Sequence, residues 1–527
     1  MKATPRGFLA ATAAAVLAVP LVLTGAASSS AAAHVPDPAR DAARLSRKLV
    51  RAASAEGAYR HLTKFQAIAD SSGGHRAAGS PGHDASAGYV YDRLRKAGYQ
   101  VSYDTFDFTY IETLAEKLLV TVAGAPQATP RAGDPATGQA TVPAPREVGI
   151  VAMSYTKSTP VGGVTAPLAA VPADATTGCE AADYASGSFT GRIALIRRGG
   201  CDFASKQREA AAAGAVAAII YNNTEGALSG TLGTPAAGVI PTGGITLAEG
   251  QALATEAAEA AEAVKTAGTA ADTEGAVTAT VEVRQLQEPR TTRNVIAETR
   301  DGDPHRTVML GAHLDSVVQG PGINDNGSGS AALLDVALAL ADTDGKPANK
   351  VRFAWWSGEE LGLLGSEAYV TGRTAEQRAD IALYLNFDMI ASSNFAEFVY
   401  DGDDSDGGPG GPGPRGSAQL EKDIGDFLDH QGRPHEGADF DGRSDYGPFI
   451  AAGIPSGGTF TGAEGIKSPA QAHRYGGEAG VAYDTCYHAA CDDLAHINRN
   501  AFDLNIDVIA HAVGTYAHDL GALSRPR

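Results

Sequence analysis

The chain predicts an α/β fold: a mixed, largely parallel sheet flanked by helices on both faces, interrupted by a β-rich insert. Two observations lead there. Apolar runs such as "RTVMLGAH", "VRFAWWSGEE" and "IALYLNFDMI" alternate with amphipathic stretches such as "GSAALLDVALALAD". That is the pattern of parallel strands buried on both faces and joined by crossover helices. Between residues 119 and 285 the alternation is lost, first in the Pro/Gly/Ala/Thr-rich "AGAPQATPRAGDPATGQATVPAPRE", then in short apolar strands around one helix. At 527 residues the chain exceeds one ordinary domain. The expected layout is a signal peptide at 1–33, a discontinuous domain at 34–118 and 286–527, an insert at 119–285 and a flexible loop at 401–417.

Each element has its own signal. "MKATPRGFLAATAAAVLAVPLVLTGAASSSAAA" places Lys2 and Arg6 before a short apolar stretch and small residues, the three regions of a secretory signal peptide. "DASAGYVYDRLRKAG" predicts a helix from Asp84, with Val90 and Leu94 on one face and Gly98 at its stop. "YQVSYDTFDF" alternates as a strand. In the insert, "GRIALIRRGGC" and "AVAAIIYNN" are strands and "FASKQREAAAAGA" a helix, whose Lys206, Arg208 and Glu209 read as a solvated face. Farther on, Leu334, Ala337, Leu338 and Ala341 turn one helix toward the core. "DGDDSDGGPGGPGPRGS" is too rich in glycine and acid for regular structure. A last helix, capped near Asn500, aligns Phe502, Ile506, Ile509, Val513 and Tyr516.

Composition excludes several classes. A formal net charge of −19 argues against nucleic acid or an anionic membrane as partner and suits a monomer. After the signal peptide no stretch approaches a membrane-spanning length. In an exported chain the four cysteines read as two disulfides, most simply the local pairs Cys179–Cys201 and Cys486–Cys491. Free thiols on a metal are the alternative.

The chemistry gathers where the strands end. In an open α/β sheet, ligands bind outside the carboxyl ends of the strands. "VMLGAHLD" ends in His313 and Asp315, "VRFAWWSGEE" in Glu359 and Glu360, and "ALYLNFD" in Asp388. A Gly-rich loop adds Asp325, and "CYHAACDD" presents His488. Singly, each has a plain explanation: a hydrogen-bonded histidine, acids at a helix start, a turn aspartate. Together they form the imidazole and carboxylate set that suits zinc, with a bridging carboxylate able to hold two ions. Such ions activate water and polarise a carbonyl, and a carboxylate off the metal, such as Glu359, moves the proton.

These residues carry a resemblance. "GAHLDS…GINDNGSG", "WWSGEELGLLGS", "NFDMI", "GRSDYGPF" and "CYHAACDD" resemble the co-catalytic zinc aminopeptidases of peptidase family M28, in particular its secreted bacterial leucine-type members. The resemblance covers residues 58–118 and 290–520 and implies a zinc-exopeptidase fold holding two Zn2+. His313, Asp325, Glu360, Asp388 and His488 match the ligands, with Asp325 bridging. Glu359 matches the general base that activates a metal-bridging water. Asp315 matches the acid that orients His313, and Tyr487 the oxyanion-stabilising tyrosine. Arg443 resembles a substrate contact, and Met389 and Phe460 fall where the family lines an apolar pocket, although ordinary core packing explains them equally. Asp503 and Asp507 resemble part of a calcium site, beside the plain reading of a solvated helix face.

Residues 146–284 resemble a protease-associated (PA) domain through "FTGRIALIRRGGCDFASKQREAAAAGAVAAIIYNN" and "IPTGGIT", which makes Cys179–Cys201 a structural staple there. The expected protein is a secreted aminopeptidase acting on peptide N-termini, with leucine and other large apolar residues preferred. Same-fold alternatives are a metallo-carboxypeptidase, for which Arg443 is the one anchor in view, and a glutaminyl-cyclase-like enzyme. A silent binding protein is the alternative from another class. It is disfavoured because every ligand and the base are present.

Overall fold

The computed structural model describes residues 37–122, 144–184, 189–267, 277–343, 346–408 and 410–523. The expected signal peptide, residues 1–33, lies outside them. Among the described residues fourteen strands follow one another: β1 Gln100–Val122, β2 Arg146–Val148, β3 Val151–Ala152, β4 Val164–Ala170, β5 Ile193–Arg197, β6 Ala217–Tyr221, β7 Thr242–Ile245, β8 Val277–Glu298, β9 Asp303–His313, β10 Asn349–Trp356, β11 Ile381–Phe387, β12 Phe398–Tyr400, β13 Glu436–Ala438 and β14 Ser456–Phe460.

The main sheet runs β13-β12-β14-β11-β9-β10-β8, with β1 beyond β8. Strands β9, β10, β11 and β14 are mutually parallel, whereas β8 joins β10 antiparallel and β12 joins β14 antiparallel. This is the mixed, largely parallel α/β sheet the sequence predicts. Successive residues on a strand point to opposite faces, and the core divides accordingly. Val308, Leu310 and Ala312 join the larger cluster with helices Gly329–Ala341 and Arg499–Tyr516. Met309 points the other way, to Trp356, Tyr369, Tyr384 and Phe449.

Helix boundaries follow caps rather than periodicity. The helix expected from Asp84 begins earlier, at Pro81, because the Ser80 hydroxyl accepts from the His83 amide and Pro81 presets the first turn. The last helix starts at Arg499, with the Asn498 side chain accepting from the Asn500 and Ala501 amides. Its five expected core residues are all buried. A further helix, Pro38–Ala52, packs against it so closely that a Cβ on Gly514 would meet the Ser46 backbone at 2.3 Å.

The insert has its own sheet. Strands β4, β5, β6 and β7 are parallel, β3 closes one side antiparallel, and β4 pairs with β8. Two helices cover it, Phe203–Ala212 as expected and Leu247–Ala267, which the sequence reading did not count. Lys206 corrects the expectation of a solvated face. It is fully buried, and its ammonium donates to the Thr177 carbonyl at 2.6 Å and hydroxyl at 2.9 Å. Both expected disulfides are formed, Cys179–Cys201 and Cys486–Cys491.

Strands β1 and β8 belong to both units. They pair antiparallel from Gln100↔Glu298 to Val122↔Val277, with one register shift between Thr113 and Ala115. The expected boundaries at 118/119 and 285/286 therefore fall inside unbroken strands. The described residues among 402–416 hold no helix or strand, and the start of the segment is tied down: the Asp401 carboxylate accepts from the amides of Asp403, Ser405 and Asp406. Ser417 already opens helix Ser417–His430.

Candidate active site

Parallel strands end on the same edge of a sheet, so β9, β10 and β11 deliver His313, the Glu359–Glu360 turn and Asp388 to one place. Asp325 arrives on the loop between β9 and helix Gly329–Ala341. Two glycines make that path possible. Gly322 turns with φ 62°, and a Cβ on Gly329 would meet the Phe387 carbonyl at 2.1 Å. His488 sits in the small loop closed by Cys486–Cys491, its ring stacked on Tyr487 at 3.8 Å.

Asp325 stands between the two histidines. Its Oδ1 lies 3.2 Å from His313 Nε2 and its Oδ2 lies 3.3 Å from His488 Nε2. His313 Nε2 is also 3.3 Å from Asp388 Oδ1 and 3.9 Å from Glu359 Oε2, and His488 Nε2 is 3.0 Å from Glu360 Oε2. On its other side, His313 Nδ1 lies 3.1 Å from the Asp315 carbonyl and 3.7 Å from its carboxylate. Asp315 is thus placed to orient the ring, chiefly through its backbone.

The electrostatics describe a crowd of acids short of positive charge. Burial pushes the Glu359 carboxyl well above its ordinary range, and the Asp388 and Asp445 carboxylates add to that. Burial and the Asp325 charge push Glu360 up to about 7. Burial opposes protonation of His488, yet its contacts with Asp325 and Glu360 carry it up to about 10. Buried His313 Nε2, Asp388 Oδ1 and Glu360 Oε1 have no hydrogen bond. Unsatisfied atoms of this kind need a partner. His313 lies with the carboxylate oxygens of Glu359 and Asp388, and again with those of Asp325 and Glu360, within 4.8 Å of one another, and imidazole with carboxylate is a donor set zinc takes. The residues fit a bound zinc.

Several residues that the sequence reading did not single out hold this arrangement. Arg76 is fully buried and donates to the carbonyls of Leu314, Pro321 and Gly322, pinning both ends of the Asp325 loop. The Asp492 carboxylate accepts from the Asn324 and Asp325 amides at 2.7 and 3.0 Å. The Ser444 hydroxyl donates to Asp388 Oδ2 at 2.5 Å. Asp445 is buried beside them, and burial pushes it up to about 7. Asp492 and Ser444 lie inside quoted motifs, whereas Arg76 in "SGGHRAAGSPG" offers only a Gly-rich turn.

A pocket of about 210 Å³ opens beside Glu359 and Asp388, with Met389, Tyr400, Ala438 and Phe460 among its walls. Met389 and Phe460 thus line the cavity rather than serve only as core. Arg443 and Tyr487 stand at its rim, where an Arg443 Nη atom lies 3.2 Å from the Tyr487 hydroxyl. Asp503 and Asp507 behave differently. The Asp503 carboxylate accepts from the Ala55 amide at 3.1 Å, and among the described residues neither belongs to a cluster close enough to hold an ion.

The sequence profile described as peptidase family M28 matches residues 294–513, and that described as the PA domain matches residues 164–253. An aminopeptidase of Pseudomonas aeruginosa is 43% identical over 476 residues, covering 88% of this chain and 81% of its own. The chain belongs to peptidase family M28. This M28 enzyme is a metallo-aminopeptidase with an inserted PA domain. A probable leucine aminopeptidase 2 of Aspergillus oryzae is 43% identical over 454 residues, covering 86% of this chain and 82% of its own. Among solved structures, the aminopeptidase from Aneurinibacillus sp. strain AM-1 superposes with a TM-score of 0.65 at 26% identity, covering 89% of this chain and 95% of its own. Among the described residues no helix is long and apolar enough to cross a membrane.

Proposed function

We propose that this aminopeptidase is an exported, monomeric di-zinc enzyme that releases leucine and other large apolar residues from peptide N-termini. The observation that carries the reading is Asp325, whose two oxygens reach one histidine each. His313, Asp325 and Asp388 would hold one zinc, and Asp325, Glu360 and His488 the other. Bound zinc lowers the pKa of water and polarises the substrate carbonyl.

The chain's own groups do the rest. Glu359 takes a proton from the attacking water as its oxygen bonds to the carbonyl carbon, and returns that proton to the amine as the C–N bond breaks. The Tyr487 hydroxyl stabilises the negative oxygen. Glu359 and Asp388 at the pocket floor attract the free α-ammonium, and the apolar walls at Met389 and Phe460 take the first side chain. A carboxypeptidase needs a cation for the α-carboxylate. Arg443 is already paired with Glu464, at 2.8 and 3.3 Å, which weighs against that alternative.

The test is hydrolysis of leucyl-p-nitroanilide and N-acetyl-leucyl-p-nitroanilide by the purified protein, before and after chelation and zinc addition. Cleavage of the free-amine substrate alone, lost on chelation and restored by zinc, supports the reading. Cleavage of neither with zinc bound overturns it.

A further inference from the structure

A second cavity, of about 470 Å³, adjoins the pocket described above at His488. The two share that histidine, and each takes one member of the glutamate pair: Glu359 lines the smaller, Glu360 the larger. An exopeptidase needs this asymmetry. One side encloses a single residue; the other must let the remaining chain leave. The smaller pocket has the apolar walls for one side chain, so the larger lies where the peptide continues past the cleaved bond.

The outer wall of this exit side comes from Tyr110–Thr113 of β1, the strand that carries the insert, facing Val317–Gln319 of the β9 loop. His488 apart, its charge is acidic. Glu112, Asp315 and Glu360 line it, and no lysine or arginine does so among the described residues. The arginine beside Tyr110, Arg290, lies over the Tyr110 ring at 3.3 Å and is bonded to Glu288 at 2.6 Å. With Glu360 assigned to zinc and Asp315 held against His313, the exposed carboxylate of Glu112 is left to meet the departing chain.

We infer that β1 is a specificity element, with Glu112 selecting for a basic and against an acidic residue immediately after the cleaved bond. This rests on the aminopeptidase reading and extends it to the second substrate residue. Like charges brought together at a binding surface are penalised and opposite ones favoured, with a strength that salt screens.

The test measures kcat/KM for leucine release from Leu-Lys-Ala-Ala-amide, Leu-Gln-Ala-Ala-amide and Leu-Glu-Ala-Ala-amide at low salt and in about 0.5 M NaCl. The zinc-loaded wild type is compared with Glu112→Gln and Glu112→Lys. The wild type is expected to prefer Lys over Glu by about tenfold. Glu112→Gln flattens the preference, Glu112→Lys inverts it, and salt shrinks it. Leucine release from all three peptides with the same Lys/Glu ratio in Glu112→Lys as in wild type overturns the inference and leaves the aminopeptidase reading standing. Release from none by the wild type overturns that reading, and this inference with it.

Discussion

Arg443 and Glu464 face each other across the pocket rim in a two-pronged ion pair, Nη1 to Oε1 at 2.8 Å and Nη2 to Oε2 at 3.3 Å. Both side chains are more than half exposed. Water and salt screen such a pair, and its net contribution is at most about 1 kcal/mol. Glu464→Gln is therefore expected to leave urea unfolding within about 1 kcal/mol of wild type. It should act instead on KM, by freeing the guanidinium beside Tyr487. A loss of several kcal/mol in the unfolding free energy would assign the pair a structural role.

Glu359 makes the proton transfers in the proposed reaction without being counted as a zinc ligand. Glu359→Gln is expected to lower kcat by about a hundred- to ten-thousand-fold. Zinc content, read by elemental analysis, should stay at two per chain. Loss of an ion together with activity would make Glu359 a ligand, which its place 3.9 Å from His313 Nε2 also allows.

Asp492 fixes the bridging aspartate through the backbone, by two amide bonds of 2.7 and 3.0 Å. An asparagine keeps only one oxygen there. Asp492→Asn is expected to weaken zinc binding by about 10- to 100-fold. Chelator competition measures this directly, and unchanged competition would show that Arg76 alone suffices to hold the loop.

Glu397 predicts a pH dependence of stability. Burial pushes its carboxyl from 4.5 up to about 8, only partly offset by the Asn505 amide at 3.0 Å. A raised folded-state value means the native protein holds this proton where the unfolded chain has released it. The contribution is complete below pH 4.5 and is lost as the pH rises through 8. Glu397→Gln, permanently neutral, should lose less melting temperature than wild type between about pH 6 and 9. Parallel melting curves across that range would remove Glu397 from the account.

Much of the site was legible because parallel strands place their ends together. Once three apolar runs finish in His313, Glu359–Glu360 and Asp388, topology does the rest. Asp325 and His488 were legible from motifs. What supports them was not. Arg76 reaches its carbonyls across some 240 residues of chain, and no local pattern announces such a contact. Lys206 misled because a lysine on an amphipathic helix is normally solvated. Here its ammonium finds oxygen acceptors in the Thr177 turn. The helix Leu247–Ala267 escaped notice because its alanines and glutamates mark no sharp apolar face. The expected edges of the insert fall within strands because "LAEKLLVTV" keeps alternating, and β1 runs on through it.

That shared ribbon has a mechanical meaning. A module attached by two loops swivels; one attached by a paired ladder from Gln100↔Glu298 to Val122↔Val277 transmits twist. A force applied to the insert is therefore carried along this ladder into β10 and the sheet that holds the candidate site, instead of being absorbed at two loops.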